Sequence, residues 1–80
     1  MKFPKDTMIL VESKTVDLSG MEFGMMHIDG LPINEEVALL SEEATKNFVL
    51  QLGHSFSATI EGRVFLEASY FNYEKNNPFT

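Results

Sequence analysis

Histidine is the side chain most often recruited as general base, metal ligand or pH switch, and the chain carries two, His27 and His54. Glu22, Asp29 and Glu43 are the carboxylates with which either could build a catalytic or metal-binding pocket. The spacing of the two histidines matches no zinc motif, since such motifs bring ligands in close pairs. His54 also follows a candidate helix end, where the dipole alone favours a histidine. Ser55 and Ser57 lie beside His54 and offer a nucleophile next to a base. Nucleophilic catalysis needs that base oriented by an acid, and an oxyanion hole as well. Adjacency in sequence supplies neither, and no G-x-S-x-G elbow is present. Gly20, Gly24 and Gly30 do not have the spacing of a phosphate-binding loop. Cysteine is absent, which excludes disulfides and thiolate zinc sites. The sequence therefore assigns no catalytic residue, no metal site and no cofactor.

The remaining candidates are surfaces. Carboxylates cluster at Glu35–Glu36 and Glu42–Glu43. Adjacent acids on a strand point to opposite faces, which suits a solvated acidic rim better than acid–base chemistry. Such a rim could dock Lys or Arg of a partner, or imitate the charge of a phosphate chain. The stretch from Met21 to Ile28 is apolar on both faces: Met21, Phe23 and Met25 on one, Met26 and Ile28 on the other. Gly24 between them is a candidate bulge that switches faces. Phe65 and Phe71 sit at the minority parity of the last strand. A sheet with one helix has one covered face and one open face. Phe23, Met25, Phe65 and Phe71 thus form a candidate interface on the second face, to be covered by another copy or by a different protein.

The elements that position these residues follow from hydrophobic period. Residues 1–5 read as a loose arm. Thr7 to Leu18 reads as one strand with a bend at Ser13–Lys14, and Met21 to Ile28 as a second. Asp29–Gly30 signals a two-residue type I′ hairpin, pairing Ile28 with Leu31, Met26 with Ile33 and His27 with Pro32. Ile33, Val37 and Leu39 then continue the apolar face. Ser41 caps a helix over residues 42–52, with Glu42 and Glu43 at its positive end and Gly53 at its C-terminal cap. Glu42 and Lys46 stand four residues apart in the favourable order. Ala44, Phe48, Val49 and Leu52 form its apolar stripe.

Beyond the helix, Ala58, Ile60, Val64, Leu66, Ala68 and Tyr70 share one parity. A two-residue turn at Glu61–Gly62 would break that parity. The pattern favours a hairpin loop with an odd number of residues, or one long strand with a bulge at Gly62. Residues 74–80 read as a loose terminus. The resulting class is α+β: a mostly antiparallel sheet of four to five strands with one helix on one face, in the order β-β-β-α-β.

Eighty residues with a net charge of −6 make one small acidic domain. A duplex nucleic acid repels such a surface, because binding requires phosphates neutralised by Lys and Arg. The six basic residues are scattered along the chain. No run approaches the roughly 20 apolar residues of a membrane span, and no signal peptide follows Met1, so a cytoplasmic location is expected, or the host cytoplasm if the gene is viral. Domains this small have little core to spare and are commonly completed by a partner. The expectation is a small accessory or regulatory protein, of the phage-type or bacterial inhibitor kind. Its partner is a protein, and a homodimer is expected. The alternatives are a small enzyme or ligand binder with a His/carboxylate pocket, and an acidic phosphate mimic.

Overall fold

The computed structural model describes residues 1–27 and 36–70. Strands β1 (Met8–Val11) and β2 (Lys14–Asp17) form an antiparallel pair. The expected single bent strand is therefore a hairpin. Its two turn residues, Glu12 and Ser13, have φ of 49° and 70°, the left-handed pair that defines a type I′ turn. Neither is Gly or Asn, so the usual sequence signal for this turn is missing. Ile9, Val11, Val16 and Leu18 point inward and are buried. Met8 and Leu10 point outward and are exposed.

Strands β3 (Phe23–His27), β4 (Glu36–Leu40), β5 (Thr59–Ile60) and β6 (Arg63–Glu67) form an antiparallel sheet in the order β3-β4-β6-β5. The architecture is α+β, as the hydrophobic pattern required. Two expectations about register are corrected. Met26 pairs with Val37 and His27 with Glu36, not with Ile33 and Pro32. The expected turn at Asp29–Gly30 lies outside the described residues. The slip is by an even number of residues, so Met26, Val37 and Leu39 still share a face. Gly24 pairs with Leu39 in an unbroken ladder, so no bulge switches the faces of β3.

The second correction is at Glu61–Gly62. Thr59 pairs with Val64 and Ile60 with Arg63, which is the two-residue hairpin that parity argued against. Both turn residues have positive φ, 53° and 77°, again type I′. β5 is a two-residue edge strand. Its faces are not both committed to burial, so it tolerates Ile60 opposite Arg63.

Helix α1 (Glu42–Leu52) begins and ends where its caps dictate. The Ser41 side chain accepts from the Ala44 N–H at 3.1 Å. Gly53 takes the left-handed conformation at φ 90° and donates its N–H to the Val49 carbonyl. Ala44, Thr45, Phe48 and Leu52 are buried, and Val49 packs against the core more loosely. The helix and the β1–β2 hairpin close over one face of the four-stranded sheet. Between them lies the core, in which Phe48, Leu40, Leu66, Ile9 and Leu18 are fully buried. A single 3₁₀ turn, Ala68–Tyr70, follows β6.

The arm at residues 1–5 is not loose. Phe3 is buried and stacks on Phe23, with ring centroids 4.0 Å apart. Met1 and Phe23 exchange backbone hydrogen bonds, and the Phe3 N–H donates to Met21. The arm thus lies as a short extra strand along the start of β3. Thr7, also buried, anchors its far end by donating its hydroxyl to the Pro4 carbonyl at 2.6 Å.

Candidate functional site

The register of the sheet sorts the candidate interface residues. Phe23 pairs with Leu40, and Met25 pairs with Ala38, which pairs in turn with Leu66. Phe23 and Met25 therefore face the helix-covered core, and Phe23 is only 6% exposed. They leave the proposed second face: Phe23 is the floor on which Phe3 stacks, and Met25 packs against the core cluster. Phe65 stays on the second face, paired through Leu39 to Gly24. Phe71 and Glu35 lie outside the described residues.

The outer face is built by residues the sequence pattern only partly marked. Met26 and Val37 form one row with Glu67; Gly24, Leu39 and Phe65 form the next. Ile60 and Arg63 close the end of the face across the β5–β6 hairpin. Met26, Leu39, Ile60 and Phe65 are half-buried and stand outside the core cluster. Val37 is fully buried between the Met26 and Glu67 positions. At Gly24 an added Cβ would meet nothing within 4 Å, so the face is open there. Leu39 and Ile60 were missed as surface candidates. The alternation around Val37-Ala38-Leu39-Leu40 is apolar on both faces, a signal like that in β3, but it was read for one face only.

Where β4 and β6 diverge at the helix start, side chains replace the ladder. The Arg63 Nε donates to the Leu40 carbonyl at 2.8 Å, and the Val64 N–H donates to the Thr45 hydroxyl at 3.0 Å. Thr45 is buried, so its hydroxyl satisfies an amide that would otherwise be orphaned. The substitution for the missing rung also fixes the direction of Arg63 at the rim of the outer face.

The histidines are placed separately. His27 ends β3 opposite Glu36 and is exposed. His54 meets Glu12, a carboxylate from the strained turn that sequence reasoning did not pair with it. Its Nε2 lies 3.2 Å from Glu12 Oε1, with 54% and 51% of the two side chains exposed. Its Nδ1 lies 2.9 Å from the Ser55 carbonyl. With an acceptor at each nitrogen, only the imidazolium donates to both. Ser55 thus meets the imidazole through its backbone carbonyl rather than its hydroxyl. Among the described residues, no group of three or more His, Asp and Glu comes together to hold a metal ion.

A groove of about 410 Å³ opens at the start of α1, between Lys2, Glu22, Ser41, Glu43 and Asn47. Neither histidine lines it. Glu42 and Glu43 are exposed in the first helical turn and Glu36 is exposed at the start of β4. They occupy different elements rather than one continuous row.

Two ionisable groups are shifted. Hydrogen bonds from the Ser19 side chain and backbone N–H hold Asp17 below the usual aspartate value; the backbone bond is 2.9 Å. Burial, followed by the charges of Glu67 and Glu12, pushes the Tyr70 hydroxyl up. Its ring meets Phe56 edge-on, and Phe56 meets Phe48 in the same way.

Comparison with known proteins finds no matching family model, no matching curated protein and no matching solved structure. No described helix is long and apolar enough to cross a membrane.

Proposed function

We propose that the protein is a small interaction or accessory protein that docks another protein chain on the outer face of its four-stranded sheet. The observation that carries this reading is the set of half-buried residues Met26, Leu39, Ile60 and Phe65 on neighbouring rows of that face, apolar yet outside the core. The helix and the first hairpin already cover the other face, so these side chains do not serve that packing. Each of the four keeps part of its surface accessible, apolar surface left outside a core can serve as an interaction site, and flexible Met side chains suit adaptable ones. The net charge of −6 favours partners with a basic rim. A His/carboxylate enzyme is supported less well, because the groove holds neither histidine.

Phe65→Asp tests the reading. The variant is expected to keep its cooperative thermal transition within a few degrees of wild type, because Phe65 lies outside the core. It is also expected to lose the partner chain that wild type retains after cross-linking in native extracts. Loss of the folded state would make Phe65 a core residue and end the proposal. Retention of the same partner by both proteins would move the site elsewhere.

A further inference from the structure

Strand β1 carries two of the large apolar side chains that the described residues leave exposed, Met8 at 45% and Leu10 at 63%. The hydrogen bonds of the first hairpin show where the backbone of these two residues points. The Leu18 N–H donates to the Thr7 carbonyl at 2.8 Å, so Thr7 and Leu18 form a hydrogen-bonded pair. Such pairs alternate with non-hydrogen-bonded ones along an antiparallel ladder. Ile9–Val16 and Val11–Lys14 are then bonded across the hairpin, while Met8–Asp17 and Leu10–Thr15 turn their N–H and C=O groups outward. Asp17 confirms this phase, because its N–H and carbonyl both bond Gln51 on the far side of β2. β1 belongs to a two-stranded sheet and has no strand on its own far side among the described residues. The 3₁₀ turn at Ala68–Tyr70 comes near β1, yet no described residue hydrogen-bonds the outward groups of Met8 or Leu10.

We infer that this border of β1 takes an extended segment of a protein partner as an added strand, one in which Lys or Arg alternates with apolar residues. The border is separate from the outer face of the four-stranded sheet proposed above as a docking surface. An unpaired strand border is a template for strand addition, in which main-chain bonds supply affinity and alternate side chains supply specificity. Here the charges select a basic strand. Asp17 lies opposite Met8 and Glu12 lies at the turn beyond Leu10, and both are exposed. Lys14 instead shares the face of Val11 and donates its amine to the Leu52 carbonyl, 2.8 Å away. Met8 and Leu10 are about 6.8 Å apart along the strand, the spacing of alternate residues in the added segment. Lys or Arg at those alternate positions lays its methylenes over Met8 and Leu10 and carries its charge toward the two acids. The apolar residues between them fall beside the buried row of Ile9 and Val11.

The test uses the full chain with a blocked synthetic peptide, Lys-Val-Lys-Val-Lys-Val, as probe, read by titration and amide hydrogen exchange. In the free protein the Met8 and Leu10 amides are expected to exchange fast, and those of Ile9 and Val11 slowly. Probe at about ten times its Kd is expected to slow Met8 and Leu10 roughly tenfold. A Glu-Val peptide of the same length is expected to leave them unchanged. Leu10→Pro removes one outward N–H and spares the bonds to β2, so it is expected to weaken probe binding roughly tenfold. Leu10→Lys keeps every backbone group and repels the probe, which preserves the test if the proline variant folds poorly. Its loss of affinity is expected to shrink at high salt. Phe65→Asp is expected to bind the probe as wild type does. Slow exchange at Met8 and Leu10 in the free monomer overturns the inference, because the chain then covers its own border. Slow exchange that appears only as protein concentration rises gives the border to a second copy and also overturns it. So does a probe that fails to protect these amides, or binding indifferent to both Leu10 variants. Probe binding lost in a folded Phe65→Asp variant would move the peptide to the outer sheet face and overturn the β1 border alone.

Discussion

Glu12 and Ser13 show how a strained pair of residues can shape a fold without a sequence signal. Both adopt positive φ, which costs non-glycine residues roughly 1 kcal/mol or more each. The hairpin registers around them because Ile9 and Val16 must share the buried face. Ser13→Gly is expected to relieve this strain and raise stability by about 0.5–1 kcal/mol, measured by urea denaturation. Glu12 was hidden from sequence reasoning for the same reason. A turn not signalled by Gly or Asn could not be placed beside His54. Asp17 gives a pH prediction with a definite sign. Its folded pKa is depressed, chiefly by Ser19, so its stabilising contribution is present above the usual aspartate value of about 3.9 and lost as pH falls through that range. Asp17→Asn is expected to flatten the acid limb of the thermal stability curve between about pH 5 and about pH 2. An unchanged limb would place the Ser19 bond outside the stability balance.

At the scale of elements, α1 was legible to the residue and the strands were not. Capping is local chemistry, so Ser41 and Gly53 announce both ends. Register is tertiary. It depends on which face is buried, and the chain cannot show that when β3 and β4 are apolar on both. The Glu61–Gly62 turn illustrates the point. Parity argued against it, yet the left-handed preference of Gly62 was the stronger signal, because β5 is too short to impose a face. Thr45 is not one of the four apolar residues of the helical stripe. It is instead the group that completes the sheet at Val64. Thr45→Val keeps the shape and strands that amide. A loss of about 1–3 kcal/mol is expected in chemical denaturation, with faster hydrogen exchange at Val64. A loss near zero would mean that water or another acceptor replaces the hydroxyl.

For the whole molecule, the face assignment decides which aromatic residues are structural and which are available. Phe48 stands in the core and Phe65 stands outside it. Truncating Phe48 to Ala should cost about 3–5 kcal/mol, whereas Phe65→Asp should leave the folded state nearly intact and, on the proposed docking reading, weaken association. The contrast between the two substitutions in the same melting experiment separates packing from docking. The sequence showed that apolar residues exceed what one helix can cover. It could not show which ones, because Phe23 and Phe65 differ only in the register of strands that are distant along the chain.

The side chain of Gln51 has a consequence for colloidal behaviour. Its amide binds both the N–H and the carbonyl of Asp17, at 2.8 Å each, as a neighbouring strand would. The arm at Met1–Phe3 does the same along the start of β3. An unprotected strand border is a template for runaway intermolecular β-assembly. One glutamine and three arm residues therefore act as insulation along these two strand borders.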